Sequence, residues 1–187
     1  MIKKFFPEKY VESVYQIDLE KLKSEKIEAL IFDIDNTLVP YYVPNANKRI
    51  KKLFSAIKAK GIKVGVLSNN NKNRVSIFCK ELNIEYVHKA GKPGVKGLGR
   101  LIKKLGVKNH RNTVIIGDQV FTDVLCGNRM GIHTILVKPV SKKDAFGTWL
   151  KRGIESIVIN LYLKRKKISP AVEKVDSLAK NQRFFAN

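Results

Sequence analysis

Runs rich in aliphatic and β-branched residues alternate along this chain with stretches of helical periodicity. Ala29 to Phe32 is a continuous apolar run, the signature of a strand buried on both faces. Comparable strands are expected at Ile62–Leu67, Ile84–Val87, Thr113–Ile116 and Ile132–Val137. Between the first two, Ile50, Leu53, Phe54 and Ile57 repeat at helical spacing within 47–60, and Gly61 ends the pattern. Val75, Phe78, Cys79 and Leu82 mark a second helix over 72–82. Pro93 suits the first position of a third, running to Leu105, and a short fourth reaches Arg129 before Gly131 turns the chain. Strands alternating with helices predict an α/β fold with a doubly wound, five-stranded parallel sheet. Upstream, Pro7–Tyr15 reads as a short helix or irregular lead-in, and Asp18 caps a helix over the residues that follow. The chain divides into an N-terminal helical lead-in (1–27), an α/β core (28–150) and a basic, partly apolar helical tail (151–187).

Charge changes the picture. Lys and Arg number 37 against 16 Asp and Glu, a net charge of +21. Residues 30–150 hold 22 basic side chains and seven acidic ones, and four of those seven acids fall in two short segments, 33–35 and 118–123. Scattered surface acids do not explain that clustering in so carboxylate-poor a region. It reads as a cation site within a positive field that attracts anionic partners. Cys79 and Cys126 stand alone, without disulfide or zinc spacing, which fits a reducing compartment. The most apolar run of the tail, Ile154–Leu163, is ten residues long and carries Glu155 and Asn160, too short and too polar to cross a bilayer. The first ten residues lack the apolar core of a signal peptide. A cytoplasmic protein, or one peripheral on the inner face of a membrane, is expected.

The chemistry gathers at strand ends. Asp33 and Asp35 close the first strand, and as an isolated pair they suit a solvated turn as well as a cation site. The later strands decide between these. Ser68 and Asn69 follow the second, Lys92 lies beyond the third, and Asp118 and Asp123 follow the fourth. In a parallel sheet these segments converge on one edge, where ligands of such sheets bind. The constellation suits phosphoryl transfer. Asp33 is the candidate nucleophile and Asp35 the acid for the leaving oxygen. Ser68, Asn69 and Lys92 are candidate phosphate-binding residues, and Asp118 completes a Mg2+ site.

Asp-Ile-Asp-Asn-Thr (33–37), Leu-Ser-Asn-Asn (67–70), Lys92-Pro93 and Gly-Asp-Gln-x-x-Thr-Asp (117–123) resemble, in order, the four motifs of the haloacid dehalogenase superfamily. The resemblance covers roughly residues 28–140. The longer stretches 29–40 and 117–140 are similar to its YqeG-like branch, related to the mitochondrial-type phosphatidylglycerophosphatase. It implies a haloacid dehalogenase-like sheet in strand order 5-4-1-2-3 and a phospho-aspartyl intermediate on Asp33. Mg2+ would be held by Asp33, Asp118 and the main-chain carbonyl of Asp35, with Thr37 and Asp123 in support, the latter from behind the metal waters or Lys92. The implied reaction converts phosphatidylglycerophosphate to phosphatidylglycerol.

Relatives carry lid domains after the first motif or between the second and third. Here each interval has room only for one helix and one strand beside its loops, so the fold is expected to be capless. An open site suits a bulky substrate such as an anionic phospholipid at a membrane surface. A phosphatase of nucleic-acid ends or of phosphoproteins is an alternative reading. A non-catalytic basic module for RNA or the ribosome is another, but the basic residues lack interleaved aromatics, and no stable nucleic-acid partner is expected. A response-regulator receiver places its phosphoacceptor after the third strand, whereas this acidic pair follows the first. His88, His110 and His133 lack ligand spacing, and the glycines at 94, 97 and 99 are in the wrong order for dinucleotide binding. The run Lys164–Lys167 reads as a solvated face, and beside Ile154–Leu163 also as a surface for anionic lipid.

Overall fold

β2 (Ala29–Phe32) is the centre of the molecule: its four residues are fully buried, as an apolar run flanked by strands on both sides must be. The structure, a computed structural model, describes residues 2–141 and 149–166. Lys167, the end of the basic run, Asp144, one of the seven acids of residues 30–150, and the aromatic residues Phe184, Phe185 and the side chain of Trp149 lie outside the described residues.

β2 pairs in parallel with β3 (Lys63–Leu67) on one side and β5 (Thr113–Gly117) on the other, with Ala29 opposite Lys63 and Thr113. β4 (Glu85–Val87) lies outside β3, and β6 (His133–Val137) outside β5. The sheet does not stop there. β1 (Lys9–Val11) pairs in parallel with β6, giving six strands in the order β1-β6-β5-β2-β3-β4. The five-stranded sheet and its strand order are thereby corrected, as is the reading of 7–15 as helix or irregular chain. The five foreseen strands keep their neighbours, and the added strand covers the otherwise open edge of β6. Three residues, Lys-Tyr-Val, are too few to show the alternation that betrays a strand.

Helices cover both faces. α1 (Leu19–Ser24) is capped by Asp18, whose carboxylate accepts the Lys21 N–H at 3.0 Å. α2 (Lys48–Ala59) buries Ile50, Leu53, Phe54 and Ile57, and Phe54 meets Phe32 of β2 with ring centroids 5.1 Å apart. α3 (Lys72–Lys80) is capped by Asn71 and buries Val75, Phe78 and Cys79 in the same core. On the opposite face α4 (Lys96–Lys104) buries Leu98, Leu101 and Ile102 against Ile31, Leu67 and Ile115. α4 starts at Lys96 rather than at Pro93, because a Gly94 N–H to Gly91 carbonyl bond of 2.8 Å first closes a turn there. The segment after β5 winds through a wide turn (Val120–Val124) into α5 (Leu125–Met130).

α6 (Trp149–Lys166) lies against that wide turn and the N-terminal residues. Glu155, Val158 and Tyr162, spaced as one helical face, are buried, whereas Ile157 and Leu161 are exposed. Glu155 accepts the Phe121 N–H at 3.2 Å, and the Tyr162 hydroxyl donates to the Glu8 carbonyl at 3.2 Å. Part of the expected tail is therefore seated on the turn that carries Asp123. Among the described residues no helix is long and apolar enough to cross a membrane.

Two segments position the site. The chain from Asp35 to Ser68 holds α2 and β3, and that from Ser68 to Lys92 holds α3 and β4, with no further element in either. The carboxyl edge of the sheet is therefore not covered by an inserted domain.

Candidate active site

Asp33 leaves β2 with its N–H bonded to the Ile116 carbonyl at 2.9 Å, so its backbone continues the ladder one residue past the strand. That fixes its carboxylate over the carboxyl edge, beside the end of β5. Asp118 follows β5 directly, and Asp123 lies in the wide turn beyond it. Carboxylate oxygens of Asp33, Asp118 and Asp123 lie within 4.8 Å of one another, and all three residues are buried. Like charges so close and so dry repel strongly. Lys92 answers that repulsion: its Nζ donates to Asp33 and to Asp123, at 2.6 Å each, from a side chain only 3 % exposed.

The electrostatics bear the mark of this crowding. Burial, opposed by Lys92 and reinforced by the charges of Asp123 and Asp35, pushes the Asp33 carboxyl up to about 7. Lys92 is buried as deeply, yet the two carboxylates hold its ammonium above the usual lysine range.

The loop that bears Lys92 is fixed from the second motif. The Asn69 side chain accepts the Lys92 N–H at 2.8 Å and donates to the Lys92 carbonyl at 2.9 Å. Both ends of its amide are thus bonded to the Lys92 backbone in this arrangement, although the sequence reading makes Asn69 a phosphate ligand. Ser68 is buried at the end of β3, with its hydroxyl oxygen accepting the Asn70 N–H at 3.1 Å. Thr37 donates from its hydroxyl to Asp118 at 3.2 Å, which ties the first motif to the fourth. Asp123 is anchored behind Lys92 by the Gln119 N–H at 3.1 Å.

Asp35 has partners that the sequence reading missed. One carboxylate oxygen accepts from Arg74 Nε and Nη2 at 3.1 and 2.8 Å, and the other accepts from Asn70 Nδ2 at 3.0 Å. Arg74 also donates to the Pro44 carbonyl at 2.8 Å, fastening the loop after β2 to the start of α3. A sequence signal for Arg74 does exist. Lys72 and Arg74 occupy the first turn of α3, where no acid appears, and the helix dipole disfavours cations there. A cation placed against the dipole is there for another partner.

The donor set of the cluster is all oxygen, which fits a hard divalent cation such as Mg2+ rather than a soft one. Asp33 and Asp118 would hold it, with the Asp35 carbonyl as a third ligand by analogy with the motif. The histidines stand apart: His133 Nδ1 meets Glu8 at 2.6 Å on the surface. Cys79 and Cys126 are buried free thiols, each pushed above the normal cysteine value by burial.

Comparisons with known proteins bear on the family and the fold. The profile of the family described as mitochondrial PGP phosphatase matches residues 2–141. Probable phosphatase YqeG of Bacillus subtilis (strain 168) is 44% identical over 167 residues, covering 89% of this chain and 96% of that protein. Phosphatidylglycerophosphate phosphatase 1, chloroplastic/mitochondrial, of Arabidopsis thaliana is 27% identical over 175 residues, covering 88% of this chain but only 49% of its own length. Among solved structures, the cobalt-bound deoxy-D-mannose-octulosonate 8-phosphate phosphatase of Haemophilus influenzae superposes with a TM-score of 0.50 at 16% identity, over 84% of this chain and 98% of that one. That likeness speaks for the fold alone. The chain belongs to the mitochondrial PGP phosphatase family, in the YqeG-like branch of the haloacid dehalogenase superfamily, and is a phosphatase of that type.

Proposed function

We propose that this phosphatase removes the terminal phosphate of phosphatidylglycerophosphate, through a phospho-aspartyl intermediate on Asp33. The observation that carries the mechanistic part is the Lys92 ammonium bridging Asp33 and Asp123 within the three-carboxylate cluster.

An Asp33 oxygen attacks the phosphorus, and the bond from phosphorus to the ester oxygen breaks. Asp35 gives its proton to that departing oxygen, so the alcohol leaves neutral. A water then attacks the phosphorylated Asp33; Asp35 takes back a proton, and the bond between Asp33 and phosphorus breaks to release phosphate. Arg74 and Asn70 hold the Asp35 carboxyl in place, one at each of its two oxygens. Lys92 has three N–H donors and places two on carboxylates, which leaves one for a phosphoryl oxygen. Ser68 supplies a hydroxyl beside it, while Asn69 sets the Lys92 backbone rather than meeting the phosphate. Mg2+, when bound by Asp33, Asp118 and the Asp35 carbonyl, supplies positive charge that favours ionised Asp33 and offsets charge on the phosphoryl group.

The lipid substrate rests on the likeness to the mitochondrial PGP phosphatase family and to the Arabidopsis phosphatidylglycerophosphate phosphatase, and on a carboxyl edge that no inserted domain covers, which admits a phosphate group whose remainder stays outside. Both fit a phosphatidylglycerophosphate head group.

The test is phosphate release, with Mg2+, from four substrates: phosphatidylglycerophosphate in mixed vesicles, glycerol 3-phosphate, a 3′-phosphorylated oligonucleotide and a phosphoserine peptide. The expected order puts the lipid first by at least tenfold in kcat/KM, with Asp33→Asn inactive on all four. A preference for the oligonucleotide, the peptide or the small ester overturns the lipid assignment. Wild-type turnover by Asp33→Asn overturns the mechanism.

A further inference from the structure

The described residues expose eight large hydrophobic side chains, and four of them, Tyr41, Tyr42, Val95 and Val140, sit in loops leaving the carboxyl ends of strands. Tyr41 and Tyr42 are 38% and 57% exposed and stand edge-to-face, with ring centroids 5.3 Å apart. They do not sit on a loose loop. The Val43 N–H closes the turn onto Pro40 at 2.9 Å, and Val43 packs on the core. Pro44 is held by Arg74, and the Asn36 N–H is bonded to the Val39 carbonyl at 2.7 Å. Val140 joins the same structure, its N–H meeting the Asn36 carbonyl at 2.8 Å. The two tyrosines are thus presented by a fixed turn, on the chain segment that carries Asp33 and Asp35.

Charge on this edge is segregated by depth. Among the described residues of the loops beyond β2 to β6 and the first turns of the helices they feed, the carboxylates are Asp33, Asp35, Asp118 and Asp123, none of them exposed. Apart from the buried Lys92, lysines of the same segments, Lys48, Lys72, Lys89 and Lys96 among them, are exposed. Lys138 is exposed too, paired with Glu12 at 2.9 Å. Three successive helices, α2, α3 and α4, carry no acid in their first turns, and begin with Lys48, Lys72 and Lys96. Cations at helix N-termini oppose the helix dipole, so folding does not ask for them there. The opposite edge differs: Glu28 precedes β2, Glu85 begins β4 and Glu81 ends α3.

We propose that this edge, with the Tyr41–Tyr42 turn at its centre and Lys48, Lys72, Lys89 and Lys96 around it, is the surface that seats the protein on an anionic bilayer. The inference rests on the lipid reading above and adds the docking surface to it. Tyrosine suits the boundary between hydrocarbon and head groups, with an apolar ring and a polar tip. Lysines around it meet anionic head groups, each strengthening attachment by about fivefold near the surface. The aliphatic Val95 and Val140 favour a bilayer over single-stranded nucleic acid, which needs stacking rings rather than methyl groups. Seated so, the protein would turn Asp33 toward the head groups, and a phosphate could enter without the lipid leaving the membrane.

The test uses the full chain and two variants outside the catalytic cluster: Tyr41→Ser/Tyr42→Ser and Lys48→Gln/Lys72→Gln/Lys96→Gln. Binding is read by co-sedimentation with phosphatidylcholine vesicles containing 30 mol% phosphatidylglycerol, with pure phosphatidylcholine vesicles as control. Turnover is read on long-chain phosphatidylglycerophosphate in the same vesicles and on a dihexanoyl analogue dissolved as monomer. The expected result is at least a tenfold loss of anionic-vesicle binding and of vesicle turnover in both variants, with monomer turnover within twofold of wild type. Unchanged vesicle binding overturns the proposal. An equal loss on the monomer also overturns it, since the turn would then belong to the active site. Tight binding to a single-stranded oligonucleotide that falls in both variants, without vesicle binding, points to nucleic acid and overturns it as well. Should wild type fail to hydrolyse even the monomeric analogue, the lipid reading falls, while vesicle binding still decides the docking surface.

Discussion

Replacing Lys92 with Met tests whether the buried ammonium is what makes the carboxylate cluster tolerable. Methionine keeps most of the stem volume, so little packing is lost. What disappears is the charge that meets Asp33 and Asp123 at 2.6 Å each, among side chains 3%, 9% and 2% exposed. With so little solvent to screen them, removing one partner of such a buried network costs about 3–5 kcal/mol. For a chain of 187 residues that corresponds to a fall in Tm of roughly 6–20 °C.

The pH dependence sharpens the test. Burial already holds the Asp33 carboxyl at about 7, and Lys92 is what opposes a further rise. In the unfolded chain an aspartate titrates near ~3.9. Between these values folded Asp33 is protonated in both proteins, so both lose stability alike as pH rises. Above pH 7 the wild-type carboxyl ionises, whereas in Lys92→Met it keeps its proton and stability continues to fall. The gap in Tm, measured by thermal denaturation in chelator, should therefore be larger at pH 8.5 than at pH 5.5. A variant that melts within about 2 °C of wild type at pH 8.5, where the network cost predicts several degrees or more, refutes the reasoning.

Three further outcomes follow from the same geometry. Asp33→Asn removes the carboxyl that burial holds near 7, so in chelator at pH 8 it should melt above wild type, and the rise in Tm that Mg2+ gives wild type should vanish. Asp35→Asn should slow alkyl phosphates by about 100-fold or more but p-nitrophenyl phosphate far less, because only the alkoxide needs a proton; equal losses would assign Asp35 to positioning alone. Gly117→Ala places a Cβ 2.2 Å from Asp123 Cγ and 2.3 Å from its Oδ2. Asp123 must then move off Lys92, costing about 1–3 kcal/mol of stability together with most of the kcat; a fully active Gly117→Ala would show that Asp123 is not needed where it stands.

Much of this was legible in the sequence, for identifiable reasons. Continuous apolar runs mark strands buried on both faces, and apolar positions every three or four residues mark α2, α3 and α4. Parallel strands carry their following loops to one edge, so acids spread from 33 to 123 could be expected together. What the sequence hid depends on partners far away along the chain. β1 is a strand only because β6 offers it an edge. Asn69 bonds to a backbone 23 residues away, a contact that leaves no trace in local spacing. Arg74 reaches 39 residues back to Asp35. α6 is seated through a carboxylate–amide bond and a tyrosine hydroxyl, neither of which leaves a periodic trace.

The charge pattern carries a tension that only the structure resolves. A chain with 37 basic side chains presents a field that draws phosphate in and drives a divalent cation away. The proposed mechanism asks for both at Asp33. The sheet separates the two demands by depth: the carboxylates of Asp33, Asp118 and Asp123 are buried with Lys92 at strand ends, within 4.8 Å of each other, and Lys48, Lys72 and Lys96 are exposed on the helix starts. At physiological salt the field of an exposed lysine decays over about 8 Å, so the buried cluster dominates at contact while the rim acts on what approaches from outside. Anion attraction is then a property of the edge, sensitive to salt, and cation binding a property of the cluster, largely indifferent to it.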